Sequence, residues 1–315
     1  MQISRRFITD LDADFRRFCS ALNLRENLRE PSILPMTSFD EFVQSLSAHF
    51  DPREAQSMAR IVFEDSFDLQ RSQFATAQLS PAQSAQLQSI HDELLTQKPL
   101  QYILGQADFY GLKFKVDSRV LIPRPETEEL VEWVMEVVEH QFPNQNLRIL
   151  DIGTGSGCIP IVLQKKLPKA EVWGLDVSAV ALALAQENAA LNQVNLHWCE
   201  QDILNEQLWP QLPTFDLIIS NPPYIPFQEQ ALMPSQVTDF EPHLALFVED
   251  VDPLLFYRVI GKFAEKYLNS EGSLFFECNE YNAKEVEALL KESGWKQVEL
   301  RNDLSGKERM IQAVR

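Results

Sequence analysis

From Leu147 to Asn279 the chain alternates short apolar runs with longer stretches whose apolar residues recur every three or four positions. The runs are "LRILDIG", "EVWGLDV", "VNLHWCE", "FDLIISN" and "GSLFFECN". Their length and near-continuous hydrophobicity fit strands covered on both faces. The segments between them predict helices from Cys158, from Ser178 to Leu191 and from Pro253 to Tyr267. Such alternation predicts a mostly parallel sheet wrapped by helices, an α/β fold. The closing "WKQVELRNDLSGKERMIQAVR" reads as two strands about a polar turn, an antiparallel hairpin ending the sheet.

Upstream the pattern changes twice. "SFDE" places Ser38 as N-cap and Glu41 three residues on, a capping box. "DPRE" caps with Asp51 and opens on Pro52. Ala55, Met58, Ile61 and Val62 then share a helical face. Ser80 starts another helix, with Leu87, Ile90 and Leu94 facing inward. Residues 37–100 therefore read as a small helical bundle. Residues 1–36 read as an N-terminal extension that ends in "REPSILP", with Met36 a candidate native start. The segment 101–124 alternates apolar residues around Gly105 and Gly111 and reads as a β-hairpin linker. The helix "PETEELVEWVMEVVEH" opens the large domain, 125–315.

Composition narrows the class. With 45% hydrophobic and 23% charged residues over 315 positions, the chain suits a globular protein. No apolar run approaches the roughly 20 residues of a membrane helix. Cys19, Cys158, Cys199 and Cys278 form no CxxC pair, so no metal is expected and the thiols suit the cytoplasm. A net charge of -18 argues against direct nucleic-acid binding.

Two motifs carry chemistry. "DIGTGSG" runs from a strand through Gly153, Gly155 and Gly157 into a helix. Glycines there permit a tight turn and close approach of a ligand, while N–H groups at the helix start face it. The spacing is neither a dinucleotide fingerprint nor a P-loop. Asp151, with Thr154 and Ser156 in the same loop, ends the strand where a carboxylate meets a cationic amino group. S-adenosylmethionine has such a group and a dinucleotide has none. Asp176 ends the next strand and suits ribose hydroxyls. Asp202 and Ile203 follow the third strand, as acceptor for an adenine amino group and as apolar flank for its ring. A turn serving only packing is the alternative for the loop.

The second motif is "NPPY", Asn221 to Tyr224, at the end of the fourth parallel strand. Proline cannot donate to the ladder, so the strand stops. The loop is rich in acceptors: the Asn221 oxygen and the Pro222 carbonyl, on a backbone stiffened by Pro223. Tyr224 offers a flat face. Such a site wants a planar ligand with an NH2 group, a carboxamide or an aminopurine.

These motifs together resemble the class I S-adenosylmethionine-dependent N-methyltransferases. The stretch "PLQYILGQADFYGLKFKVDSRVLIPRPETEELVE", with "DLSGKERMI", resembles more closely the HemK/PrmC family, which methylates the GGQ-motif glutamine of class I peptide-chain release factors. The resemblance covers 37–315. It implies a Rossmann-like seven-stranded sheet of order 3-2-1-4-5-7-6 with the last strand antiparallel, and a helical N-terminal domain that recognises the substrate. Carried over, Gly153 to Gly157 hold the methionine part of the cofactor, Asp176 the ribose, and Ile203 flanks the adenine. Asn221 touches cofactor and substrate, and Asn221, Pro222, Pro223 and Tyr224 clasp the glutamine amide. "PRPETE" borders the site, with Arg124 a candidate substrate contact. The implied partner is a class I release factor and the implied working unit a monomer in the cytoplasm, on no membrane. Two departures stand out: "EPHLALFVEDVDPLL" lacks the family's glycines, and "ECNEYNA" replaces "EIG..Q".

Alternatives remain at this level. The glutamine methyltransferase of ribosomal protein uL3 tends to read "PRSP" where this chain has "PRPET". An adenine-N6 nucleic-acid methyltransferase would use "NPPY" equally well but needs base flipping and a binding region. A nicotinamide enzyme leaves "NPPY" unexplained, and a non-catalytic module leaves Asn221 and Asp176 without purpose.

Overall fold

The computed structural model describes residues 36–143 and 145–315. The extension 1–36 therefore lies outside the described residues, apart from Met36. The chain divides into two compact units at His91/Asp92.

In the first unit α1 (Phe39–Leu46) begins at the capping box of Ser38 and Glu41. Helix α2 (Pro52–Phe67) begins at Asp51, whose side chain accepts from Arg53 and Glu54 N–H groups. The buried stripe of α2 is Ala55, Ala59, Val62, Phe63 and Phe67, while Met58 and Ile61 are only half-buried. The large aromatic Phe63 sets that rotation. It meets Phe39 edge-on with centroids 5.2 Å apart and Phe74 at 5.8 Å. Helix α3 (Pro81–Leu95) buries Leu87 and Ile90, and the division into units falls within it.

The second unit opens with a helical turn, α4 (Leu100–Leu104), between Pro99 and Gly105. The hairpin expected over 101–124 is thus shorter: β1 (Gln106–Phe109) and β2 (Leu112–Lys115). Pro99 pre-sets the helical start and Gly105, at φ +69°, ends it in the left-handed region. Tyr110 and Gly111 both have positive φ, as a two-residue hairpin turn demands. Helix α5 (Pro125–Gln141) follows.

The sheet then forms from β3 (Arg148–Ile152), β4 (Glu171–Asp176), β5 (His197–Glu200), β6 (Phe215–Ser220), β7 (Leu268–Glu277), β8 (Gln297–Asn302) and β9 (Glu308–Val314). Their spatial order is β5-β4-β3-β6-β7-β9-β8. Strand β9 is antiparallel to both neighbours and the central strands are parallel. Counted from β3, the order is 3-2-1-4-5-7-6. Helices α6 (Cys158–Lys166), α7 (Ala179–Leu191), α8 (Leu255–Tyr267) and α9 (Ala283–Glu292) complete the layers. One apolar cluster joins Leu150, Ile218, Phe276 and Ile311 to α8 and α9. A second joins Ile149, Leu217, Ile219 and Phe275 to α5 and α6. Alternate residues of each central strand thus feed opposite clusters. Among the described residues no helix is long and apolar enough to cross a membrane.

The glycine-poor stretch 241–255 contains no residue with positive φ, and neither does 277–283. Phe247–Val248 pairs in parallel with Ile225–Pro226, and the turns that follow are made without glycine.

Candidate active site

Strands β3 and β6 are neighbours, with Ile152 opposite Ser220. Gly153 and Asn221, next along each strand, therefore leave the sheet side by side. Chain connections depart in opposite directions from this pair, which is where open α/β sheets bind ligands. A cleft of about 250 Å³ opens there. Gly153, Gly155, Asp176, Asp202 and Ile203 line it, together with Asn221, Pro222 and Pro223.

The glycine loop splits into two roles. Gly153 (φ +75°) and Gly155 (φ +52°) would meet no atom within 4 Å if they carried a Cβ. They keep the loop open at the cleft. Their neighbours lock the turn: Gly153 and Thr154 N–H groups both donate to the Leu175 carbonyl, at 2.8 and 3.0 Å. A Cβ on Gly157 would instead press on Ile161, Ala185 and Trp198 at 3.0 to 3.2 Å. Ser156 is buried, and its carbonyl accepts from Asn188 Nδ2 at 2.9 Å. These last two positions, expected to touch cofactor, face helix packing and lie off the cleft wall.

The acids differ in surroundings. Asp176 accepts from the Gly155 N–H at 2.8 Å through Oδ2 and from Ser178 N–H at 2.9 Å through Oδ1. Burial raises its pKa all the same. Asp202 accepts from Leu204 N–H at 2.9 Å, and Ile203 beside it is buried. Asp151 lies under the loop, off the cleft wall, 1% exposed. Neither of its oxygens makes a hydrogen bond of good geometry. Burial pushes its pKa up to about 7, although the Thr154 hydroxyl is near enough to pull it down, and the charge of Asp176 adds to the rise. Thr154 Oγ1 and Gln201 Nε2 are also buried without partners. Buried polar groups are normally satisfied, so orphans gathered under a glycine loop call for a ligand. A cationic amino group, reached directly or through water, is what Asp151 lacks. The pocket residues fit a cofactor made of an amino acid, a ribose and an adenine.

Asn221 Nδ2 donates to Thr127 Oγ1 at 3.2 Å, and Thr127 donates to Glu277 Oε2 at 2.7 Å. Thr127 and Glu277 are both buried. Burial pushes the Glu277 carboxyl up to about 7, against the opposing pull of its Thr127 bond. Tyr224 does not line the cleft; its half-buried ring packs against the core cluster of β6 and β7. Burial raises its phenol. Arg124 is also off the cleft wall. Its guanidinium pairs with buried Glu241, which accepts from Ile122 N–H as well, at 3.2 Å. The clasp ties the segment carrying Val120 and Leu121 to the one carrying Pro242 and Leu244, and all four line the cleft. Glu277 and Glu241 were absent from the expected site, and Thr127 entered it only as part of the bordering "PRPETE", without a role of its own. The only signal for Glu277 was an acid at the end of a strand on the same edge as Asn221.

Comparison with known proteins bears on this arrangement. Residues 39–105 match the PrmC N-terminal domain and residues 132–238 the methyltransferase small domain. The chain is 46% identical to a release factor glutamine methyltransferase of Flavobacterium psychrophilum, over 86% of this chain and 95% of that protein. It is 36% identical to one of Bacteroides thetaiotaomicron, over 86% and 97%. Among solved structures, the hMettl16 catalytic domain superposes with a TM-score of 0.50 at 20% identity, covering 65% of this chain and 75% of that one. At that identity the likeness is one of fold.

Proposed function

The chain belongs to the release factor glutamine methyltransferase family, and from that premise we propose how its cleft serves the transfer. The protein methylates a release-factor glutamine. The acceptor is the side-chain nitrogen, N5, of the GGQ-motif glutamine in class I release factors, and the donor is S-adenosylmethionine. When bound, that cofactor would supply an electrophilic methyl group, whose bond to sulfur breaks as the bond to nitrogen forms, with S-adenosylhomocysteine as the leaving group. Gly153, Gly155, Asp176, Asp202 and Ile203 hold it, with Asp151 countering its amino group from beneath the loop. One observation carries this reading: the open glycines and the acceptor-rich Asn221–Pro223 edge line a single cleft.

An amide nitrogen is a poor nucleophile because its lone pair is delocalised. Asn221 Oδ1 and the Pro222 carbonyl accept its two N–H bonds and hold the lone pair toward the donor side of the cleft. The same two oxygens face the positive charge that grows on nitrogen. Orientation therefore supplies most of the rate, and no histidine or cysteine is needed. The nitrogen's proton passes to water once the new bond exists. Pro222 and Pro223 keep the acceptors from drifting, and Tyr224 braces the loop from the core side. The helical segment 37–100 recognises the protein substrate. A single copy works, without nucleic acid.

The test is to incubate the protein with labelled S-adenosylmethionine and, separately, a release factor, ribosomal protein uL3 and DNA. Label is expected on the release factor and is lost when its GGQ glutamine is replaced. Label only on uL3 or DNA would overturn the assignment.

A further inference from the structure

An asparagine amide presents an acceptor at one end and a donor at the other, and a half-turn exchanges them. Gripping the NH2 of a glutamine needs the oxygen end. The reversed amide would set donor against donor. Something must therefore fix which end of Asn221 faces the cleft.

The hydrogen bonds around Asn221 supply that constraint. Thr127 has one hydroxyl proton, and it is given to Glu277 Oε2 at 2.7 Å. A carboxyl that accepts this proton leaves Thr127 Oγ1 with only lone pairs for its other neighbour. Asn221 can meet those only with Nδ2, and it does so at 3.2 Å. With Nδ2 engaged, Oδ1 is the free end. The pieces are rigid: Thr127 is 3% exposed on the first turn of α5, and Glu277 is 2% exposed at the end of β7. Arg309 and Glu126 are the charges that face Glu277, the first favouring its ionised form and the second opposing it. Serine would serve as well as threonine, whereas an apolar side chain of the same shape would leave Nδ2 only the weaker, direct pull of the Glu277 carboxyl.

We propose that Thr127, held by Glu277, is a positioning residue that sets the polarity of Asn221 and so makes its oxygen available to the glutamine amide. This rests on Asn221 acting as the amide acceptor, the reading given above.

The experiment compares Thr127→Val and Thr127→Ser with the parent, using S-adenosylmethionine and a release factor. Each protein is checked for thermal melting and for cofactor binding by calorimetry. Thr127→Val is expected to lose roughly 10- to 100-fold in kcat, the scale of a misoriented reacting group, with cofactor Kd and the KM for release factor little changed. Thr127→Ser is expected to keep most of the parent kcat. Full kcat in Thr127→Val, or equal losses in both variants, would overturn the proposal. Should the valine variant unfold, Thr127→Ala takes its place under the same expectation. Asn221→Ala separates the two levels. If it is inactive while Thr127→Val is not, only the relay fails; if it retains full kcat, the acceptor reading beneath it fails.

Discussion

Asp151 shows how one side chain ties burial to function. Its carboxyl is buried with no well-formed hydrogen bond, and burial pushes its pKa up to about 7 against the pull of Thr154. A cationic cofactor prefers the ionised form. Raising the pH from 6 to 7.5 moves this carboxyl from mostly protonated to mostly ionised. S-adenosylmethionine should then bind roughly eightfold more tightly at the higher pH. Calorimetric titration across that range checks it, and Asp151→Asn should bind more weakly with the pH trend gone. A flat profile in the parent protein would remove Asp151 from the cofactor's surroundings. At this scale the strand ending at Asp151, the glycine loop after it and the strand-end Asp176 were legible as local structure, because each is a short-range signal. Thr127 and Glu277 were not. Their bonds span 94 and 150 residues, and no spacing rule reaches that far.

The elements add a steric constraint. Gly174 lies within β4, where a glycine weakens a strand unless something needs the space. Here the ring of Trp198 on β5 needs it. A Cβ at 174 would sit 2.6 Å from Trp198 Cζ3 and 3.1 Å from Thr154 Oγ1. Gly174→Ala should therefore destabilise the protein by about 1–3 kcal/mol and displace the cofactor loop through Thr154. Urea unfolding reads the first effect and calorimetry of S-adenosylmethionine binding the second. Parental values in both would show that Trp198 has room to yield. Strand identity was legible from apolar runs, but strand extent was not. The run "GSLFFECN" marks only the C-terminal part of β7 and overruns its end, while the strand begins at Leu268, where Phe215 of β6 offers it a partner.

Across the whole molecule the buried carboxyls set the response to pH. Asp151 and Glu277 are both pushed to about 7 from ordinary values near 4, and Asp176 moves in the same direction. Between those limits the folded protein keeps protons that the unfolded chain releases. Their contribution is therefore fully present below about pH 4 and fades as pH rises through 7. Carboxyls held low by partners, such as Asp117 beside Arg119, exert the opposite trend only below that window. The net charge of -18 works with the buried pair, since self-repulsion grows as acids ionise. The melting temperature should fall from pH 5 to 7.5, and Asp151→Asn should flatten part of that fall. Scanning calorimetry decides it; a rising melting temperature would show that other groups dominate.

What the sequence determined by itself was the local grammar: alternating strands and helices, helix caps at Ser38 and Asp51, a glycine loop after β3, and a strand stopped at Asn221–Pro222. Each follows from backbone sterics and hydrophobic period, which act between near neighbours. Only the tertiary structure decided which loop glycines open on the cleft and which merely pack, that Arg124 is spent on Glu241, and that Thr127 and Glu277 line up behind the Nδ2 end of Asn221. Those outcomes depend on which side chains meet once the sheet has assembled. Meeting is a property of three-dimensional packing, to which the order of residues along the chain is only the input.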